Sequence, residues 1–256
     1  MPSIESPATP VQGVVVAVLV DFKPQHRAWG WSRLVKGPSV LKGQAGMVFA
    51  KVMGSGHEGG FSLRPSSSHQ GLIAVLDNLS HARDFLNSEL VCAYREHAHS
   101  CCQALMSVQS SRGEWDTLPW VTTPEACLEG AYGLEAPETP NLVAALTRAS
   151  IRPASAMAFW KYAPAAQDQL PQADGCELAM GLGEAPLVRQ CTFSVWRNWE
   201  AMHLYARRGA HQRAIEAAHR HSFFSESMFT RMRVLELHGQ WQQRQYAFSA
   251  APISHD

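Results

Sequence analysis

The chain has no C-x-x-C pair, no C-x-x-C-H and no H-x-x-x-H. The first absence argues against a zinc ribbon or an iron–sulfur cluster, the second against covalently attached haem, and the third against a helix presenting two histidines to one metal. The six cysteines include an adjacent pair, Cys101-Cys102, a poor disulfide geometry, so reduced thiols in a cytosolic protein are expected. Charged residues make up only 17% of the chain and cancel to a formal net charge of zero, which gives nucleic acid nothing to hold on to. The N-terminus "MPSIESPATPVQG" lacks a basic stretch ahead of an apolar run, and "VVVAVLV" (14–20) is too short to cross a bilayer. A cytoplasmic location follows, with peripheral membrane contact left open.

What is present is a 256-residue chain, 46% apolar and with eight tryptophans, enough for one large domain or two small fused ones. That aromatic content suits a bulky apolar small-molecule substrate. The chain also repeats itself. The strand-like run Val14 to Val20 resembles "LVAALTRASI" (142–151) at an offset of 127, which sets Val18 on Ala145 and Gly54 and Gly56 on Gly181 and Gly183. "LIAVLDN" (72–78) resembles "CTFSVWRN" (191–198) at an offset of 120, and Gly113 and Trp115 match Gly239 and Trp241 at 126. Each half then reads β, helix, β, β, helix, β, the ferredoxin-like order. The expected fold is α+β: tandem ferredoxin-like repeats whose sheets cover each other in a dimeric-α+β-barrel-like domain within one chain. The predicted boundaries are a loose tail at 1–12, a first half at 13–116, a linker at 117–141, a second half at 142–241 and a loose tail at 242–256. Asp77, Asn78 and Ser80 stand before one short helix as capping candidates, and Asn198 is expected to cap another. The glycine loop "GSGHEGGF" (54–61) lacks the G-x-G-x-x-G spacing of a dinucleotide site and reads as a tight turn.

The stretch "RRGAHQRAIEAAHRHSFF" (207–224) predicts an amphipathic helix. At about 100° per residue, His211 shares a stripe with Ala214, Ile215 and Ala218, whereas Arg213, Glu216 and Arg220 lie opposite. His219 and His221 fall on the rims. An inward histidine is either a core residue bonded to a backbone carbonyl or a metal or haem ligand. With no second obvious protein ligand, haem fits the ligand reading better than a three-ligand site does. Arg148 interrupts an apolar strand and needs a counter-anion if buried. Glu184, in "GLGEAP", reads as a loop carboxylate.

The stretches "FAKVMGSGHEGGF" (49–61), "LVAALTRASIRPASAMAFW" (142–160), "AMGLGEAPLVRQCTFSVW" (179–196) and "RRGAHQRAIEAAHRHSFFSESMFTRMRVL" (207–235) carry a resemblance to a known family. From about Val14 to Trp241 the chain resembles the spheroidene monooxygenases, carotenoid 2-ketolases of purple bacteria, and more distantly it is similar to haem aldoxime dehydratases. The resemblance implies haem b (iron) as cofactor, O2 and an external electron donor such as a ferredoxin, and oxidation of a carotenoid methylene. Two oxidations at one carbon give a gem-diol, which loses water to leave a ketone. It also implies His211 as axial ligand. Arg148 and the weaker Lys161 are candidates to pair with a haem propionate. Other haem chemistry, of the aldoxime dehydratase kind or on another nitrogen-containing substrate, a non-catalytic haem-binding protein, and a cofactor-free repeat stay open as alternatives. Oligomeric state is not legible.

Overall fold

The structure, a computed structural model, describes residues 9–41, 43–60, 64–128, 141–161, 169–185, 188–207 and 223–250. The first half runs β1 (Val14–Phe22), α1 (Arg27–Lys36), β2 (Met47–Gly56), β3 (Pro65–Leu76), α2 (Leu79–Leu86), α3 (Glu89–His97), β4 (Ala98–Trp115) and the short β5 (Leu118–Pro119). The second runs β6 (Val143–Ile151), a helical segment at 156–161, β7 (Cys176–Ala185), β8 (Arg189–Trp196), α4 (Trp199–Ala206), β9 (Phe224–Trp241) and β10 (Arg244–Ser249). The expected caps form: Asn78 accepts from the His81 amide at 2.9 Å and Asn198 from the Ala201 amide at 2.9 Å.

The strand orders within the halves are β4-β1-β3-β2 and β9-β6-β8-β7, the same ferredoxin-like order twice. β4 pairs with β9 and β2 with β7, so the eight strands close into an antiparallel barrel. The fold class is therefore the one expected. Closure also explains why β1 is apolar at successive positions rather than alternating. Val15, Ala17 and Leu19 point into the barrel, whereas Val14, Val16, Val18 and Val20 point out under the helices of the first half. The barrel interior is filled by side chains from both halves, among them Met53, Ile73, Phe193, Met232 and the indoles of Trp115 and Trp241.

The register corrects the repeat. Val14 faces Leu76 and Ser107, and Val143 faces Trp196 and Arg233. The bulges fall at Asp21/Phe22 and Ser150/Ile151, and at Met47/Phe49 and Cys176/Leu178. Both sets of landmarks make β6 and β7 correspond to β1 and β2 at an offset of 129, not 127. Val18 thus corresponds to Thr147, and Gly54 to Gly183. The two offsets share parity, so the sequence alignment put each residue on the correct face but two positions away. The offsets of 120 for β3 with β8 and 126 for β4 with β9 hold.

The expected ends differ too. After each G-x-W, two residues with positive φ, Asp116 and Thr117 in one half and Gln242 and Gln243 in the other, turn the chain into a short return strand. Residues 244–249 are therefore paired to β9 rather than loose. Val11 is buried and bridged to Trp120.

Candidate functional site

Comparison of the two halves locates the site. On the outer face of the first sheet, Val52, Leu72 and Val18 stand side by side in register and pack under the helices. The corresponding row in the second sheet is Gly181, Thr192 and Thr147. Three large apolar side chains are replaced by none and two small hydroxyls. The next row repeats the change: Ala74, Val16 and Leu105 become Ser194, Ala145 and Arg231. Thr147 is exposed even though β6 is paired on both sides, and Ala145 and Ala149 flank it on the same face. On this face the second sheet thus has a floor of small side chains where the first sheet has large apolar ones.

Around this floor the polar groups are not fully paired. The Arg231 guanidinium stacks 5.2 Å from the Phe229 ring, and its Nε is buried without a hydrogen-bond partner among the described residues. The His203 Nε2 on α4 is buried and unpartnered in the same way. Burial, reinforced by Arg231 and Arg207, holds His203 below the usual histidine range. Among the described residues no salt bridge is made by Arg231. At the Ile151 end of β6, Phe159 contacts Phe223 and Phe224 at 6.2 and 5.8 Å between ring centroids, with Trp160 at 5.5 Å. These rings supply an apolar wall.

The sequence candidates are dispersed. His211, with His219 and His221, lies in 208–222, outside the described residues. Lys161 is exposed at the end of the helical segment 156–161. Arg148 is fully buried and points into the barrel, on the face of β6 opposite the floor. Its counter-anions come from the chain itself. It pairs with Glu226, with Asp116 at 3.4 Å and with Glu184 at 3.6 Å, beside the Trp115 ring. Lys51 bridges Asp116 and Glu184, Arg189 reaches both, and the Trp115 indole donates to Glu184. Three cations and three carboxylates therefore form one balanced network at this end of the barrel. Burial alone would raise the Asp116 carboxyl, but Lys51, Arg189 and Arg148 hold it below the usual range. Glu184 lies on β7 rather than in a loop, as a member of this network. Arg231 and the floor were missed by sequence reasoning. The substitution of Thr147 for Val18 becomes readable only at the corrected offset.

No family model matches the chain. It is 46% identical over 234 residues to the spheroidene monooxygenase of Rubrivivax gelatinosus, covering 91% of this chain and 86% of that one. It is 32% identical over 216 residues to the spheroidene monooxygenase of Rhodobacter capsulatus, covering 83% and 86%. Among solved structures, an aldoxime dehydratase superposes with a TM-score of 0.55 at 12% identity, covering 91% of this chain and 87% of that chain. Aldoxime dehydratase OxdRE in complex with butyraldoxime gives 0.56 at 10% identity, covering 88% and 80%. At such identities the likeness is one of fold, and it agrees with the barrel described above. The sequence relationship reaches further, since it spans nearly the full length of both chains: this protein belongs to the spheroidene monooxygenase family.

Proposed function

We propose that the chain is a haem-dependent monooxygenase that oxidises a methylene of an acyclic carotenoid of the spheroidene type, using O2 and electrons from an external donor. The observation that carries this reading is the row of small side chains at Gly181, Thr192 and Thr147, where the first half has Val52, Leu72 and Val18. A flat, small-residue floor with an aromatic wall suits a planar macrocycle and a long apolar substrate. The Arg231 guanidinium, whose buried Nε lacks a partner among the described residues, suits the carboxylates that such a macrocycle carries. The small-residue floor, the aromatic wall and Arg231 would fit haem b, and the sequence resemblance makes His211 the residue that would ligate its iron. Arg231 takes the propionate role that the sequence suggested for Arg148, which already has carboxylate partners.

Bound haem would supply O2 activation. The floor and the Phe159 cluster would exclude water and orient the polyene, and Arg231 would fix the cofactor's edge. Each turnover would place one oxygen atom on the substrate carbon and reduce the other to water with two donor electrons and two protons. A second turnover at the same carbon and loss of water would give the ketone.

The test is the absorption spectrum of protein produced with iron and a haem precursor. A Soret band that shifts on reduction and with CO is expected, lost or altered in His211→Ala. Gly181→Leu, which fills the floor, should lower haem uptake without loss of folded protein. Conversion of spheroidene under O2 with a reductase system then identifies the substrate. A parent chain that takes up no haem after reconstitution overturns the reading.

A further inference from the structure

The acidic and basic residues of this neutral chain are not evenly mixed. Between Asp21 and Glu58 there is no acidic residue, whereas Lys23, Arg27, Arg33, Lys36, Lys42 and Lys51 all fall there. Lys51 is consumed by the barrel network, Lys42 lies outside the described residues, and the other four lie on or beside α1. This helix sits tightly on the barrel: Gly30 presses on the Phe22 ring, where a Cβ would come within 2.5 Å. Its opposite face looks outward. Ala28, Trp31 and Val35 follow one another at helical spacing along the middle of that face, and the exposed Arg27 and Lys36 flank them, one on each side.

The apolar ridge is not ordinary surface. Among the described residues the exposed large hydrophobics are Trp31 at 43%, Val35 at 82%, Val48 at 45%, Met157 and Leu204, and the first three all belong to α1 and the following β2. Between α1 and β2, an open groove of about 360 Å³ is lined by Leu41, Met47, Val48 and Phe49. An outward Trp and Val between cations, on a segment without one carboxylate, has the composition of a helix lying in the headgroup layer of a membrane.

We propose that the outward face of α1, with Val48, is a docking surface for a bilayer containing anionic lipids. Trp31 and Val35 enter the interface, and Arg27 and Lys36 meet the headgroup phosphates. An acidic protein partner would match the charges but would leave exposed Trp31 and Val35 unexplained. Among the described residues no helix is long and apolar enough to cross a membrane, so the contact is one of surface. The inference rests on this face alone and stands or falls independently of the haem reading.

The experiment is flotation of the full chain with vesicles of phosphatidylcholine alone and of phosphatidylcholine and phosphatidylglycerol in equal parts. The parent should float with the anionic vesicles and be released by salt. Arg27→Glu with Lys36→Glu should weaken binding by at least about 25-fold, at about fivefold for each cation lost. Trp31→Ser with Val35→Ser should weaken it by about tenfold or more even at low salt. All four positions are solvent-facing, so unchanged circular dichroism and melting are expected and separate lost binding from lost folding. A parent that ignores anionic vesicles overturns the proposal. So does binding that both double variants leave intact, or a charge reversal that disturbs only the docking of a soluble acidic electron donor.

Discussion

Trp115 donates its indole N–H to Glu184 at 2.8 Å, linking the end of β4 to the end of β7 across the barrel interior. The two residues come from different halves, so the bond reports their assembly. It also anchors a carboxylate that Lys51, Arg148 and Arg189 surround.

Arg148 is the buried hub of this network. Removing it leaves Glu226, Asp116 and Glu184 facing one another with less positive charge. Arg148→Met should lower the unfolding free energy by about 3–5 kcal/mol, measured by urea denaturation. Adding Glu226→Gln removes one stranded charge, so the double variant should be more stable than Arg148→Met alone. A double variant weaker than the single one would contradict the pairing.

Gly113 and Gly239 occupy equivalent places on the β4–β9 seam. Each has positive φ, and a Cβ would lie 2.0 Å from the Ser227 carbonyl oxygen in one case and 2.2 Å from that of Cys101 in the other. Gly113→Ala and Gly239→Ala should each destabilise by about 1–3 kcal/mol. Gly43, also at positive φ but with open space around it, should lose about 1 kcal/mol or less on the same change. Thermal melts of the three variants decide this.

His69 accepts or shares hydrogen bonds with Ser66 and Ser68 and faces Asp21 at 3.6 Å, with Trp241 against its edge. Burial lowers its pKa below 6.5, and Asp21 opposes that only in part. A histidine depressed in the folded state binds its proton more readily when unfolded. Its contribution to stability is therefore present above pH 6.5 and lost as pH falls through the folded value. His97 and His203 are shifted the same way. His69→Gln should flatten the loss of stability between pH 7 and pH 5, followed by urea titration. An unchanged slope would remove His69 from the explanation.

The thiols should separate by burial. Cys102, Cys176 and Cys191 are buried, and burial pushes the Cys176 and Cys101 thiols up to about 12. Cys92 and Cys127 are partly exposed. A brief pulse of maleimide followed by peptide mass mapping should label Cys92 and Cys127 first, because the thiolate is the reacting form. Early labelling of Cys191 would mean that the barrel opens on the labelling timescale.

The fold was legible because its signals are local or repeated. The β-branched run at Val14–Val20, the caps at Asn78 and Asn198 and the paired G-x-W turns each report a constraint that acts within a few residues. The exact correspondence of the halves was not legible, because a shift of two preserves the strand's inside–outside alternation and only cross-strand bulges distinguish 127 from 129. Arg148 was marked in the sequence as a charge that needs a counter-anion if buried, and it is buried. Its partners were invisible because Asp116, Glu184 and Glu226 approach it from other strands, far away in sequence. The small-residue floor was hidden for a related reason: Thr147, Gly181 and Thr192 are unremarkable singly and informative only beside the residues they replace.

The barrel's two seams are unequal. β4 and β9 are registered from Cys102 to Gly113, whereas among the described residues β2 and β7 meet in register only at Gly54 and Gly183. Mechanically the cylinder is a folded ribbon with a long hem and a short stitch, one ladder pair reinforced by the Lys51–Glu184 ion pair and the Ser55–Gly181 hydrogen bond. Its easiest excursion is to part at the stitch while the hem acts as a hinge, so amides near Gly54 and Gly183 should exchange through partial opening and those along the hem only with global unfolding. A chain severed between β5 and β6 would carry the same asymmetry: the two pieces would re-associate along the hem first, and a piece produced in excess would tend to pair with its own copy through that long strand.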